Sequence, residues 1–241
     1  IGGFCLFVAR LPPCPFGKPN LDRHELMDKY IHEIAELSNA SSLMPRTYRM
    51  RKRALSSEET RERIVKATME VHDEKGIGPT TMSEIAVRAG VGLATVLRHF
   101  PTYGQLVQTC GMHVWQELRP PVPDAAAATF AGLEGRSARL ARLVEELDGF
   151  YARGAFRLRL AAQDRERVPE VAAFFGAVEA GIAAFVAEAL RPEGLSEKDL
   201  SLATAIMGFP VWSALEQTGV DVARLAEIRQ NLLNCVLEPR P

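Results

Sequence analysis

Residues 80–100 read TTMSEIAVRAGVGLATVLRHF, a stretch that places two short helices around a tight turn. Thr81 is followed three residues later by Glu84, the spacing of a capping box that starts a helix. Gly90 suits a turn residue with positive φ and predicts the end of that helix. A second helix is expected from about Leu93 to His99. The stretch therefore predicts a helix-turn-helix.

The apolar residues of this stretch can meet in one small core, which leaves the rest of the second helix exposed. The expected core consists of Ile85, Val91, Val96 and Phe100. The side chains left to face outward are Leu93, Ala94, Thr95, Leu97, Arg98 and His99. Hydroxyl, guanidinium and imidazole groups offer contacts to phosphates and base edges, so we interpret this helix as one that enters a major groove of DNA. The alternative is a solvated surface helix.

A helix-turn-helix needs a further helix packed behind it, and the sequence predicts one on each side. Upstream, Ser56 and Glu59 have capping-box spacing and predict a helix that starts at Ser56 and ends at Gly76. Downstream, Thr102 and Gln105 repeat the spacing and predict the start of a fourth helix.

Across about fifty residues this pattern resembles the TetR family of bacterial repressors. The resemblance is carried by the run Thr60 to Lys75, Gly76, Thr80-Thr81, Ile85-Ala86, Ala89-Gly90-Val91, Thr95-Val96, Arg98-His99-Phe100 and Leu106. Leu97 stands where the family usually has Tyr, and Gly92 where Ser is common. Tyr103-Gly104 replaces a basic residue and a Glu that usually open the fourth helix. Without the basic residue at the start of the fourth helix, its charge-assisted phosphate contact cannot form.

Basic residues precede the first predicted helix, where residues 46–53 read RTYRMRKR without an acidic residue. Such a cluster favours DNA through counterion release, and we interpret it as a flexible basic arm, with a solvated linker as the alternative. Basic side chains outnumber acidic ones over residues 46–119, and the reverse holds over residues 120–241. The predicted DNA-binding residues are Arg51, Lys52, Arg53, Thr81, Leu93, Thr95, Leu97, Arg98, His99 and Tyr103.

The composition is that of an ordinary soluble protein with one large or two modest domains. The chain has 241 residues, is 47% hydrophobic and 24% charged, and carries a net charge of −1. No apolar run approaches the roughly 20 residues of a membrane-spanning helix. The four cysteines are scattered, without the spacing of a metal site, so we expect no metal, no cofactor and a cytoplasmic location.

Residues 1–55 are expected to form an amino-terminal extension, disordered over residues 1–20 and ending in the basic arm. Residues 21–37 have helical apolar spacing and predict a short amphipathic helix. The extension is either a genuine appendage or upstream sequence ahead of a true start at Met27 or Met44.

A domain boundary is predicted after residue 119, where Pro120, Pro121 and Pro123 end the fourth helix. This assigns residues 56–119 to a three-helix DNA-binding domain with the helix-turn-helix, and residues 120–241 to a second domain. Four long apolar stripes at helical spacing follow, with a shorter helix over Phe156 to Ala162, so the second domain is predicted to be an all-α bundle.

The second domain has no phosphate-binding loop and no nucleophile motif, so no catalytic residue is predicted. Its aromatic residues can line an apolar cavity, and resemblance to the family implies an effector pocket. The predicted pocket residues are Trp115, Phe150, Tyr151, Phe174, Phe175, Met207 and Trp212, with Arg157, Gln163 and Tyr151 as polar anchors.

Resemblance to the family also implies a homodimer formed by the last two long helices, about Ser196 to Gln217 and Val222 to Leu237. The predicted interface residues are Leu200, Val211, Leu225, Leu232, Leu233 and Val236. The sequence as a whole predicts a ligand-responsive repressor, not an enzyme, that binds a palindromic operator as a homodimer and is released by a small, mostly apolar effector. The alternatives are an all-α small-molecule binding or enzymatic domain with a non-functional helix-turn-helix, and a DNA binder that does not respond to a ligand.

Overall fold

The computed structural model describes residues 46–238, with side chains from Met50 onward apart from Lys52. The described residues from Ser57 onward belong to one compact unit. The helices in chain order are α1 (Arg46–Lys75), α2 (Met82–Ala89), α3 (Leu93–His99), α4 (Tyr103–Leu118), α5 (Ala126–Thr129), α6 (Arg136–Ala162), α7 (Pro169–Leu190), α8 (Glu197–Met207), α9 (Phe209–Glu216) and α10 (Val222–Leu237). No residue from 46 to 238 forms a β-strand, which confirms the predicted all-α fold with a helix-turn-helix and a carboxy-terminal bundle.

The helix-turn-helix is formed by α2 and α3 as predicted. The backbone N–H of Glu84 donates to the Thr81 hydroxyl, and the Glu84 carboxylate accepts from the Thr81 backbone N–H, so both halves of the capping box are present. Gly90 ends α2 in the left-handed region, with φ 63° and ψ 38°. The core behind the motif is made of Ile64, Val65, Ala67, Ile85, Ala86, Ala89, Val96, Phe100, Leu106 and Cys110. Val91 is only half-buried and packs at its edge.

The first described helix is longer than predicted. It begins at Arg46, so Ser56 lies inside it and the predicted start at Ser56 is wrong. The segment from Arg46 to Leu55 contains neither Gly nor Pro and is rich in Arg, which favours a helix over a flexible arm. The predicted disorder over residues 1–20 and the predicted helix over residues 21–37 lie outside the described residues.

The bundle surrounds one large core to which α6, α7, α8, α9 and α10 all contribute. A Gly in α7 lets this helix approach the linker that precedes the bundle: a Cβ on Gly181 would lie 1.9 Å from the carbonyl oxygen of Pro121. Close contact of helix and linker therefore depends on the missing side chain at this position.

A buried ion pair crosses the same core. The Arg229 side chain of α10 is fully buried and contacts the carboxylate of Asp148 in α6. Arg229 also donates to the carbonyl oxygen of Met207 at 2.7 Å, and the Tyr151 hydroxyl donates to the same oxygen at 2.8 Å. Three helices are thus connected by polar contacts inside an apolar core, where an unpaired partner would be costly.

Two predicted helix boundaries in the bundle are wrong. The helix expected from Ser196 to Gln217 is divided into α8 and α9 at Gly208, because the ring of Pro210 cannot continue a helix from the preceding turn. The separate helix expected over Phe156 to Ala162 is the last part of α6. Gly154, within α6, is buried against Leu118, so packing holds the helix together through this residue.

The segment Pro169–Glu193 is long and apolar enough to cross a membrane, by length and composition only. Glu179 divides it, which is why the sequence contains no uninterrupted apolar run of about 20 residues. In the structure its buried face belongs to the core of the bundle. Core helices of globular proteins share this composition, so the segment is only weak evidence for a membrane.

Candidate functional site

Helix α3 presents the surface expected of a DNA-reading helix. Leu93 is 41% exposed and Leu97 43% exposed, and Arg98 is exposed as well. Thr95 and His99 are half-buried. Arg98 has no ion-pair partner among the residues the structure describes, so its guanidinium is available to an outside ligand.

The other predicted DNA-binding residues lie in α1 and at the start of α2. In α1, Arg51 and Arg53 are exposed, and Lys52 is one of the residues whose side chain is not described. Thr81 is exposed, but its hydroxyl donates to the Glu84 carboxylate at 2.7 Å. The capping box therefore uses the one hydrogen that Thr81 could have given to a phosphate.

Tyr103 requires a correction, because its hydroxyl points away from the surface. It donates to the carbonyl oxygen of Ile77 at 2.6 Å and lies 2.9 Å from Nε2 of His72. A phenol has one hydrogen, so His72 is the donor to Tyr103. Burial lowers the pKa of His72 to about 4, and burial raises the pKa of Tyr103. Both groups are neutral at pH 7, and the predicted phosphate contact of Tyr103 does not form.

A carboxylate of the bundle, which was not predicted from the sequence, accepts hydrogen bonds from the loop between α1 and α2. Asp164 is buried, and its Oδ2 accepts the backbone N–H groups of Ile77 and Gly78, each at 2.9 Å. A Cβ on Gly78 would lie 2.4 Å from Oδ1 of Asp164. With Tyr103 and His72 these residues form a group that we call the junction. It connects the loop between α1 and α2 to the end of α6.

A second contact joins α4 to α7 at the start of α4. A Cβ on Gly104 would lie 2.1 Å from Oε1 of Glu170, in the first turn of α7. Gly104 is the position where the family usually has Glu, so the structure gives a physical reason for this departure: a side chain at residue 104 would meet the carboxylate of Glu170. The neighbouring departure, Tyr103, belongs to the junction.

Helices α1, α4, α6 and α7 line a cavity of about 510 Å³. Its wall is mostly apolar: Met69, Ile77, Val107, Cys110, Gly111, Met112, Val114, Trp115, Leu158, Leu160, Ala161, Pro169, Val171, Ala173, Phe174 and Ala177. The polar wall residues are His72, Asp73, Gln108, Arg157 and Glu170. A cavity of this size and character is typical of a small-molecule site.

Two of the seven predicted pocket residues line this cavity. Trp115 and Phe174 face each other edge to face, with ring centroids 5.6 Å apart. The other five are buried in the bundle core instead: Phe150, Tyr151, Phe175, Met207 and Trp212. Helical aromatic residues on an inner stripe pack against one another, and sequence spacing does not distinguish that stripe from a cavity wall.

Of the three predicted polar anchors, one lines the cavity and two do not. Arg157 lines the cavity, where its Nε lies 3.0 Å from Asp73 and its Nη1 lies 2.5 Å from Glu117. Gln163 is exposed and is not among the wall residues. The Tyr151 hydroxyl donates a hydrogen bond to the carbonyl oxygen of Met207, and burial raises the pKa of Tyr151.

The predicted dimer residues lie on different faces of α8, α9 and α10. Leu225 and Leu233 are buried within the chain's own core, so they are not available to a second copy, and these two assignments are wrong. Leu232 is 38% exposed. The residues Leu200, Val211 and Val236 are half-buried. Successive helical residues are about 100° apart, which is why Leu232 and Leu233 do not share a stripe.

The comparisons with known proteins agree with this geometry. The model of the family described as bacterial regulatory proteins, tetR family, matches residues 64–110, from within α1 to within α4. A comparison with curated proteins gives no match.

Several solved structures share the fold. A TetR-family transcriptional regulator from Mesorhizobium loti MAFF303099 is 18% identical with a TM-score of 0.52, and the alignment covers 75% of this chain and 96% of that one. A transcriptional regulator from Rhodococcus sp. Rha1 is 20% identical with a TM-score of 0.53, covering 73% and 95%. The multidrug-binding protein EbrR, complexed with imidazole, is 19% identical with a TM-score of 0.52, covering 76% and 92%.

At these identities the solved structures support the fold, and the family model supports the DNA-binding domain. The match spans the last part of α1, the helix-turn-helix and the beginning of α4. Residues 64–110 therefore match the DNA-binding segment of the tetR family of bacterial regulatory proteins, and the chain shares its fold with solved TetR-family structures.

Proposed function

We propose that the protein is a repressor that binds a palindromic operator as a homodimer and releases it when a small effector fills the cavity. In this proposal residues 56–119 bind DNA, residues 120–241 respond to the effector and dimerise, and the protein acts in the cytoplasm without a catalytic step. The observation that carries the proposal is the position of the cavity. Its wall contains residues of α1 and α4 from one domain and of α6 and α7 from the other.

The junction supplies the physical route from ligand to DNA. Ile77 and His72 line the cavity and are also hydrogen-bonded within the junction. A ligand that displaces Ile77 would disturb the backbone ahead of α2, whose orientation sets that of α3. Effector and operator would then favour two different arrangements of the same contacts, which is what coupling between two sites requires.

The DNA-binding part of the proposal is supported by the exposed side chains of α3. Leu93 and Leu97 offer apolar contacts of the kind that recognise thymine methyl groups, and Arg98 offers a guanidinium to a base edge or phosphate. Thr95 and His99 are expected to contribute smaller contacts. The basic residues Arg51, Lys52 and Arg53 of α1 are expected to add sequence-independent affinity.

The homodimer is proposed through α8 and α10. Leu202 of α8 and Val222 and Leu232 of α10 are large apolar side chains exposed to solvent. A two-fold contact between copies would cover them and fix the spacing of the two α3 helices. Leu232→Glu should give monomers in sedimentation, whereas Val87→Glu, at an exposed apolar residue of α2, should leave the oligomeric state unchanged. A wild-type protein that is monomeric at micromolar concentration would contradict this part of the proposal.

The central experiment is selection of bound fragments from a random DNA pool with the full-length chain, followed by anisotropy titrations with the selected operator. Arg98→Ala should weaken binding by about 1–3 kcal/mol if the guanidinium contacts a base. Arg191→Ala, in the turn after α7, is the matched control and should bind like the wild type. If no sequence is enriched, the proposed DNA-binding function is wrong. If the two variants bind the operator equally, Arg98 does not contact the DNA.

A further inference from the structure

The faces of α4 and α7 that line the cavity fit together through two glycines. Gly104 and Gly111 lie on one face of α4, and Glu170 and Phe174 lie one helical turn apart on α7. A Cβ on Gly104 would reach Glu170, and a Cβ on Gly111 would lie 3.9 Å from the Phe174 ring. The carboxylate and the aromatic ring are therefore neighbours at the cavity wall, where both are found.

The charged side chains at this wall differ in whether they have a partner of opposite charge. The guanidinium of Arg157 is engaged by two carboxylates, those of Asp73 and Glu117. Glu170 has no Lys or Arg within 4.0 Å among the residues from 46 to 238 whose side chains are described. His72 adds no positive charge at pH 7, because burial lowers its pKa to about 4. The cavity wall is thus negative on balance, with an uncompensated carboxylate at Glu170.

The apolar part of the wall suits the same class of ligand. The rings of Trp115 and Phe174 stand edge to face, so that a bound cation can lie over a ring face close to Glu170. A neutral or anionic ligand filling the cavity would remove water from the Glu170 carboxylate without giving it a partner, which costs free energy. Discrimination by an unpaired buried charge is a recognised route to specificity.

We propose that the cavity binds an apolar monocation, with Glu170 as the counter-ion and Trp115 and Phe174 as its aromatic contacts. This refines the effector of the proposed function and rests on it only for the regulatory consequence. A cation drawn to Glu170 acts directly beside the first turn of α4, where Gly104 contacts that carboxylate. The charge of the ligand would thereby affect the contact between α4 and α7 at Gly104 and Glu170.

The test uses calorimetry on the full-length chain without DNA and two probe pairs that differ in charge. The first pair is tetraphenylphosphonium and tetraphenylborate, which have nearly the same shape and opposite charge. The second is trimethyl(4-phenylbutyl)ammonium and its neutral carbon analogue, which are slimmer. In at least one pair the cation should bind about tenfold more tightly than its partner. If neither cation is preferred, the inference is wrong.

Glu170→Gln keeps the shape of the side chain and removes its charge, and it should weaken cation binding by about fivefold or more. Glu166→Gln, at an exposed glutamate in the turn before α7, is the control and should leave the affinity unchanged. Equal cation affinity of Glu170→Gln and wild type would overturn the inference. The selected operator is titrated in parallel: operator binding without cation binding defeats the inference alone, and cation binding without operator binding defeats the proposed function alone.

Discussion

The helix-turn-helix and the bundle are built from similar amphipathic helices, but different contacts fix them. In the helix-turn-helix the deciding hydrogen bonds join residues three apart, as between Thr81 and Glu84. In the bundle they join distant residues, as where Arg139 of α6 donates to the carbonyl oxygen of Ala189 at 2.9 Å. Short-range contacts are visible in a sequence, and long-range ones are not. The predictions below test this difference, from the largest expected effect to the smallest.

The largest effect is expected from breaking the buried ion pair of the bundle. Arg229→Met should lower the free energy of unfolding by about 3–5 kcal/mol, because it leaves the Asp148 carboxylate buried without its partner. Urea denaturation followed by circular dichroism measures the change. The double variant Asp148→Leu with Arg229→Met should recover most of the loss. A single variant as stable as the wild type would show that the pair does not hold these helices together.

A second test of long-range packing compares two glycines of the same helix. Gly181→Ala should cost about 3 kcal/mol, at the upper end for overpacking, because its Cβ would meet the carbonyl group of Pro121. A Cβ on Gly176 would have no neighbouring atom within 4 Å. Gly176→Ala should therefore stabilise the protein by about 0.5–1 kcal/mol, because Ala favours the helix more than Gly does. Thermal unfolding of both variants gives the comparison, and equal effects would contradict it.

The junction lies between the two regions and should give an intermediate effect. Asp164→Asn removes the charge that accepts two backbone N–H groups and should cost about 1.5–3 kcal/mol of unfolding free energy. Glu166→Gln, two residues away and exposed, is the control and should stay within about 0.5 kcal/mol. Asp164→Asn should also reduce the ability of a bound ligand to change operator affinity. Unaltered coupling in this variant would remove Asp164 from the route.

The smallest effect is expected where the sequence was most informative. Thr81→Ala should cost about 1 kcal/mol, as is usual for loss of a helix cap. In the wild type the pKa of Glu84 is lowered from 4.5 to about 2 by hydrogen bonds from Lys75, then from the Thr81 side chain and backbone. Because the pKa of Glu84 is depressed in the folded state, its ionised carboxylate stabilises the folded protein fully above pH about 4.5. This contribution to folding is lost as the pH falls toward about 2.

An NMR titration of the Glu84 carboxyl group checks the same contact. The pKa should rise in Thr81→Ala and rise further in Lys75→Met, since Lys75 is the larger cause of the shift. An unchanged pKa of Glu84 in both variants would mean that the capping box contributes nothing in solution.

The parts of the fold that could be predicted from the sequence are those fixed by contacts between residues close together in the chain. Thr81, Gly90 and Thr102 each fix a backbone feature through neighbours within a few residues, and all three features are present in the structure. The start of α1 at Arg46 was missed, because Ser56 and Glu59 satisfy a capping rule that a continuing helix overrides. Capping spacing is therefore informative only where something upstream stops the helix.

The candidate cavity was much less predictable. Trp115 was identified as a pocket residue, and so was Tyr151, but only the tertiary arrangement separates a wall from a core. Asp164 and Glu170 carry no local signal, because their partners lie on other helices. The signal that existed was indirect: Tyr103-Gly104 departs from the family pattern, and both residues contact another part of the protein there.

The contact between Gly104 and Glu170 also constrains how the sequence can change over evolution. A carboxylate that occupies the place of a missing side chain makes the two positions dependent on each other. Relatives that regain the usual glutamate at position 104 should have a residue shorter than Glu at position 170, or a shifted start of α7. Substitution at one position alone would be selected against until the other changed. In an alignment of relatives, positions 104 and 170 should therefore covary in side-chain volume.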